Sequence, residues 1–277
     1  MVTAGWRRRS LAAGEACADC LGQRAILAAV ASELTPAEIL HRARWVYATC
    51  LTYEDRGEVV ARILPVEHGG LIDTTRMPFS TAFVRPDRFR FEWAEAEVGP
   101  EVEWERALIL WNAEGVRSSW SLGAGVESHE TVHAPIGAFT GVSDGSAYTV
   151  PTLLIPGGTG RDSLKADGFA LRGRAVIGDR ECYELHRSND LGTRTLWLGC
   201  ADFLLRRVFE TCEIDGAKME ELLKSADVEV ERDFPTFRDE STTTYEPIVD
   251  APIDPERFEA PAEWPRAGPR PRPERAS

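Results

Sequence analysis

Two histidines and a glutamate in the middle of the chain stand at the spacing of a zinc peptidase motif. Residues 129–133 read His-Glu-Thr-Val-His. On a helix, this H-E-x-x-H spacing puts His129 and His133 on one face, where two imidazoles can bind the same zinc ion. Glu130 would then take a proton from metal-bound water. The motif therefore raises metal-assisted peptide hydrolysis as one hypothesis.

Asp144 is the residue that could complete such a site. The downstream segment APIGAFTGVSDGSAY contains Gly141, Asp144 and Tyr148 and is similar to the aspartate-bearing segment of deuterolysin-like aspzincins. This resemblance implies a zinc site made of His129, His133 and Asp144, with Glu130 as the base.

Features around the motif argue against that hypothesis. Pro135 disfavours helical backbone angles at Ala134, so a helix through the motif is expected to end there. Polar residues surround the histidines, whereas the helix of a zinc peptidase is held by apolar neighbours. We therefore favour an exposed polar turn of a lid, with no metal and no cofactor, and keep the zinc peptidase as the alternative.

Little else in the sequence indicates catalysis. No G-x-S-x-G, P-loop or G-x-G-x-x-G motif occurs, and Ser143 has no partner at a recognisable spacing. Cys17 and Cys20 form a single C-x-x-C without a second pair, and the four other cysteines stand singly in apolar runs, as buried thiols do. We therefore expect a protein that is not an enzyme.

Charge and composition narrow the class of partner. The chain has 277 residues, 43% of them hydrophobic and 28% charged, with a formal net charge of −13. An acidic body argues against nucleic acid, because phosphate backbones favour lysine and arginine. No apolar run approaches the ~20 residues that a transmembrane helix needs.

The two ends of the chain differ from its body. Residues 1–32 begin with a positive stretch, but Glu15, Asp19 and Arg24 interrupt the apolar run that an export signal requires. We expect a disordered or degenerate leader there and no convincing signal peptide. Residues 263–277 are rich in proline and arginine and are expected to be a disordered tail. A single domain over 33–262 remains.

The pattern within this domain changes from helical to strand spacing. Thr35-Pro36-Ala37-Glu38 is typical of a helix start, and apolar residues follow at helical intervals to Tyr47. From Leu51 onward, apolar and polar residues alternate, as in DRFRFEW. About ten antiparallel strands are predicted, interrupted by short helices and loops over 124–166. Such a sheet is expected to curl, with helices closing its open side.

This layout resembles the bacterial outer-membrane lipoprotein carrier (LolA-like) family and related uncharacterised periplasmic proteins. The resemblance lies in PAEILHRARWVYATCLTYEDRGEVVARI, in TAFVRPDRFRFEW and in GDRECYELHRSNDLGTRTLWLGCADFLLRRVFE, and spans residues 34–262. It implies an α+β fold: a curled antiparallel sheet, or half-open barrel, with an N-terminal helix and a mid-chain helical lid. It also implies the bacterial cell envelope, and a membrane donor or acceptor protein as a partner.

The apolar strand faces indicate binding of a hydrophobic ligand, which is also the function that the resemblance implies. They present more apolar surface than one short helix can cover, so part of the surface is expected to line a cavity for a hydrophobic or acylated ligand. We expect a monomer. An envelope sensor or scaffold that uses the same fold for protein contacts is a further alternative. The predicted ligand-binding residues are Val59, Ile63, Phe89, Phe91, Trp93, Ile109, Trp111 and Trp120.

Overall fold

The computed structural model describes residues 34–66, 71, 73–95, 105–121, 123, 125–155, 157, 164–165, 167–190, 192–225 and 235–265. The described residues from Pro36 onward belong to one compact unit. The predicted leader and its C-x-x-C motif lie outside the described residues, as does the Pro/Arg tail from residue 266 onward. No described helix is long and apolar enough to cross a membrane.

The predicted N-terminal helix, α1, spans Pro36–Thr49. It begins at a proline, whose fixed backbone angle suits a first helical position. Its buried side is made of Ile39, Leu40, Ala43 and Tyr47, spaced three or four residues apart so that they share one face. The Tyr47 hydroxyl accepts a hydrogen bond from the backbone N–H of Leu205 at 2.9 Å, which ties the helix to the sheet.

Within the described residues, twelve strands form one antiparallel sheet, and the predicted α+β class is confirmed. Their order across the sheet is β6-β5-β4-β3-β2-β1-β11-β10-β9-β8-β7, and β12 pairs with β1. The strands are β1 (Thr52–Pro65), β2 (Asp73–Val84), β3 (Arg88–Glu95), β4 (Glu105–Asn112), β5 (Gly115–Trp120), β6 (Val126–His129), β7 (Ala170–Ile177), β8 (Arg180–Asn189), β9 (Gly192–Gly199), β10 (Leu205–Ile214), β11 (Phe237–Tyr245) and β12 (Ile248–Val249).

The sheet curls without closing. Its terminal strands, β6 and β7, are not paired with each other in the described part of the chain. Near the middle, Gly57 of β1 lies against the Phe79 ring and the Thr244 carbonyl, and a Cβ at this position would overlap both. The absence of a side chain at Gly57 therefore lets the aromatic ring of Phe79 lie directly on the strand.

The predicted helical lid is present between β6 and β7. It consists of α2 (His133–Phe139), α3 (Ser146–Thr149) and α4 (Pro151–Leu154). The lid contacts the sheet, since the rings of Phe139 in α2 and Trp120 in β5 meet edge to face at 6.4 Å. The Arg85 guanidinium, at the turn between β2 and β3, donates to the carbonyls of Tyr47 and Leu154 and so joins α1 and the lid to the sheet.

A C-terminal strap over residues 250–265 lies on the outer face of β3, β4 and β5. It contains the 3₁₀ helix Pro255–Phe258. Asn112 donates to the Phe258 carbonyl at 2.8 Å, and Ser119 donates to the Pro265 carbonyl at 2.5 Å. Between these contacts, the register places Leu108 and Leu110 on the same outer face, where both are buried. The strap thus gives the sheet a second apolar layer.

We expect Phe258→Ala to lower the free energy of unfolding by about 3 kcal/mol, because the Phe258 side chain is 4% exposed and its loss leaves a cavity under the strap. Urea denaturation of the wild type and the variant measures this difference. Ile248→Ala is the matched control, since Ile248 is 55% exposed and should change the stability by less than about 0.5 kcal/mol. Equal effects of the two substitutions would show that the strap is not packed.

Two elements differ from the sequence predictions. Residues 126–129 were expected within a region of helices and loops, but they form β6, which pairs with β5. The charged stretch after β10, for which no element was predicted, contains the helix α5 (Gly216–Ser225). Both are short elements that lack the long apolar pattern from which elements are predicted. Pairing with β5, rather than its local sequence, determines β6.

Candidate functional site

The predicted ligand-binding residues share the concave face of the sheet. Cross-strand neighbours on this face include Phe89 opposite Trp111, and Phe91 opposite Ile109. Alternation along each strand gives this common direction. Whether the set binds a ligand remains a prediction. The eight residues divide into five that are at most 2% exposed, namely Val59, Phe89, Phe91, Trp93 and Ile109, and three that are half-buried, namely Ile63, Trp111 and Trp120.

We call the aromatic residues of this concave face, among them Phe89, Phe91 and Trp93, the aromatic wall. Phe79 lies at its centre and was not predicted from the sequence. Its ring stacks on Phe91 at 6.1 Å and meets Tyr245 edge to face at 5.4 Å. The alternation in PFSTAFV contained the signal, because Phe79 and Phe83 stand at even spacing with Thr81 between them. The wall is thus a continuous aromatic layer across β11, β1, β2 and β3, in contact with the lid.

A cavity of about 230 Å³ lies at one end of this wall. Of the predicted residues, Ile63 lines it. Its walls come from β1, β2, β3, β11 and the loop that follows α2. The lining residues are Ala61, Ile63, Asp73, Thr75, Met77, Glu95, Gly141, Val142, Asp144 and Asp239.

The carboxyl groups of this cavity lie in a partly desolvated environment. Burial raises the pKa of Asp144, and a hydrogen bond from Ser241 opposes this effect. Burial also raises the pKa of Asp239, and the nearby charges of Asp144 and Glu210 add to the shift. Like charges and desolvation both disfavour the ionised form, so these two carboxyl groups are protonated more readily than exposed ones.

A fully buried carboxyl group, Asp55, lies deeper in the wall and was not singled out from the sequence. Asp55 is 1% exposed. It accepts a hydrogen bond from the Tyr53 hydroxyl at 2.6 Å and another from the Thr81 backbone N–H at 2.9 Å. Burial raises its pKa to about 6, although these hydrogen bonds act in the opposite direction.

The H-E-x-x-H residues do not share a helix. His129 is the last residue of β6, and its Nε2 lies 2.7 Å from the Ser118 hydroxyl. His133 begins α2, and Glu130 lies in the bend between the two elements. Asp144 interacts instead with Ser241. Within the described residues, no group of three or more His, Cys, Asp or Glu side chains could hold a metal ion.

Comparisons with known proteins return similar folds only. No family model matches the chain, and no curated protein matches its sequence. Among solved structures, a DUF1329 family protein from Desulfovibrio piger is 12% identical with a TM-score of 0.27, and the match covers 81% of this chain and 95% of that one. LprF from Mycobacterium bovis is 10% identical with a TM-score of 0.37, covering 79% and 94%.

A LolA superfamily protein from Nitrosomonas europaea is also similar, at 11% identity and a TM-score of 0.28, covering 82% of this chain and 98% of that one. The family that the sequence resembles is therefore represented among these structures.

Proposed function

We propose that this protein binds an amphiphile with a long apolar chain in the concavity of its sheet and performs no covalent chemistry on it. The observation that carries the proposal is an aromatic wall in contact with a lid of short helices, with a cavity that begins at one end. The resemblance seen in the sequence adds the expectation of a lipid or lipoprotein ligand in the bacterial envelope, delivered from or to a membrane partner.

The lid helices are too short to be stable by themselves. Helix α2 has seven residues, and α3 and α4 have four each, whereas an isolated helix in water needs about 12–15 residues. None of the three has a side-chain hydrogen bond at its N-cap. The lid is therefore held by apolar burial, through residues such as Ile136 and Leu154.

An apolar ligand chain can replace contacts of this kind. Burial of apolar surface is not directional, so the wall gains similar stabilisation from an alkyl chain and from lid side chains. The cavity beside Ala61 and Met77 gives such a chain a starting point on the same face as Phe79 and Trp93. We infer that the ligand enters at the cavity and extends along the wall as the lid moves outward.

Filling the cavity tests this proposal. Ala61→Trp places an indole in the space that the proposal assigns to the ligand, and it should weaken binding of the uncharged probe N-phenyl-1-naphthylamine about tenfold, as expected for the loss of roughly 1.5 kcal/mol of apolar burial. Fluorescence titration of the purified protein measures the affinity.

Val60→Trp is the matched control. Val60 precedes Ala61 in β1, and alternation places its side chain on the other face of the sheet. This variant should bind the probe within about twofold of the wild type. Saturable probe binding that both tryptophans weaken equally would contradict the cavity assignment. A wild-type protein that takes up no probe would contradict the proposed function and favour the sensor with a filled interior.

A further inference from the structure

The cavity has two chemically different parts. Its apolar part is formed by Ala61 and Ile63 of β1, Met77 of β2 and Val142 of the lid. Its polar part contains four carboxyl groups contributed by β2, β3, the lid loop and β11. These are Asp73, Glu95, Asp144 and Asp239, and no lysine, arginine or histidine occurs among the described lining residues.

Asp144 presents a carboxyl oxygen with an unmet hydrogen-bonding requirement. The residue has a φ of 48°, a left-handed conformation that a side chain other than glycine rarely adopts. Ser241 interacts with its carboxyl group, yet Oδ2 is buried without a hydrogen-bond partner. A buried acceptor without a donor is unfavourable, so a donor on a ligand would be stabilised at this position.

Within the described residues, the charged neighbours of Asp239 do not offset its negative charge. The negative charges of Asp144 and Glu210 both raise the pKa of Asp239. Arg194, the cross-strand neighbour of Glu210 on β9, forms an ion pair with Glu210 at 3.4 Å. Among the described lining residues, negative charge therefore meets apolar surface without an intervening cation.

We propose that the ligand of this cavity is a cationic amphiphile, in which an aliphatic ammonium group meets Asp144 and Asp239 while its alkyl chain contacts Ile63 and Met77. This inference rests on the proposed function and adds the charge of the ligand's polar end. An ammonium group supplies three donors and no acceptor, which suits carboxyl oxygens. The apolar floor favours an alkyl chain, and no three carboxyl groups among the described residues are placed to hold a metal ion together.

Three ligands with the same chain length separate charge from apolar burial. Octylammonium, octanoate and octanol are titrated against the complex of the full-length protein with N-phenyl-1-naphthylamine at neutral pH. Octylammonium should displace the probe at a concentration about tenfold lower than octanoate, with octanol between them. The preference should shrink at high salt, because ions screen partly exposed charges.

Removing one charge should change the selectivity and leave apolar binding intact. Asp144→Asn should weaken octylammonium binding about fivefold and leave octanol within about twofold; Asp239→Asn is the second variant if the first does not fold. Asp179→Asn is the control, since Asp179 lies in the exposed turn between β7 and β8 and should alter neither affinity.

The outcomes distinguish the two proposals. Octanoate displacing the probe as well as octylammonium overturns the cationic assignment and leaves the proposed function standing. Equal octylammonium affinity in the wild type and the two cavity variants overturns it as well. Failure of all three compounds to displace the probe overturns the proposed function and this inference together.

Discussion

Phe91→Ala should lower the free energy of unfolding by about 3–5 kcal/mol, the range for truncating a fully buried phenylalanine. The Phe91 side chain is 0% exposed and stacks on Phe79. Truncation removes a ring from the middle of the aromatic wall, where neighbours in regular strands have little freedom to move into the gap. Urea or thermal denaturation followed by tryptophan fluorescence measures the loss.

Trp111→Ala provides the comparison within the same wall. Trp111 is the cross-strand neighbour of Phe89 but is half-buried, so its truncation should lower the stability by only about 1–2 kcal/mol. The ratio of the two effects tests whether the lid covers the inner part of the wall. A loss below about 1 kcal/mol for Phe91→Ala, with weakened probe binding, would indicate that Phe91 lines an open cavity.

The wall could be predicted from the sequence because its signal is local. In DRFRFEW, every second residue is aromatic, and period-two alternation directs Phe89, Phe91 and Trp93 to one side of a strand. The helix over Pro36–Thr49 was equally accessible, since a proline start and helical spacing coincide there. Residues that are neighbours in the chain therefore determine whether a strand forms and to which side of it each side chain points.

The cavity could not be predicted in this way because its parts are distant in sequence. Asp144 comes from the lid and Asp239 from β11. Pairing of β1 with β11 places Asp239 beside Ile63, and packing of the lid loop places Asp144 at the same cavity. Which strand follows β1 across the sheet depends on register and connectivity that alternation does not determine. The sequence therefore predicted the apolar wall but not the acidic end at which a ligand would enter.

The H-E-x-x-H motif is the opposite case. Its local pattern indicated a single helix that carries both histidines, and the fold does not form that helix. Its spacing has chemical meaning only on a helix. Here, pairing of β6 with β5 takes His129 into the sheet, whereas the helix starts at His133. Strand pairing at the edge of the sheet thus overrides a five-residue pattern, because the backbone hydrogen bonds of β6 are gained regardless of side-chain chemistry.

Asp55 illustrates what a pattern cannot reveal about a single residue within a correctly predicted strand. Alternation in TYEDRGEVV places Tyr53 and Asp55 on the same face, and that face is the buried one. A carboxyl group there contradicts the rule that buried charges are paired with opposite charges. Its hydrogen bonds from Tyr53 and Thr81 explain how it is accommodated, and its raised pKa makes the cost of burial measurable.

Asp55→Asn should stabilise the protein at neutral pH by up to about 3 kcal/mol, because it removes a carboxyl group that the fold holds in its less favourable ionised form. The pKa of Asp55 is raised from 3.8 to about 6, so the folded state binds its proton more tightly than the unfolded state does. The favourable contribution of the protonated group is complete below pH 3.8 and is lost as the pH rises through about 6. The amide can keep both hydrogen bonds, with Oδ1 accepting from Thr81 and Nδ2 donating to the Tyr53 oxygen.

Denaturation curves collected from acidic to neutral pH measure this effect as the difference in unfolding free energy between Asp55→Asn and the wild type. The difference should increase with pH up to about 6 and then become constant. Tyr53→Phe removes a hydrogen bond that lowers the pKa of Asp55. When Asp55→Asn is made in the Tyr53→Phe protein, the difference in unfolding free energy should therefore continue to increase to a higher pH. Asp179→Asn, at an exposed turn, should stay within about 0.5 kcal/mol of the wild type throughout. A difference between Asp55→Asn and the wild type that does not change with pH would mean that Asp55 is accessible to water, and that the interior of the wall beneath the lid is already open.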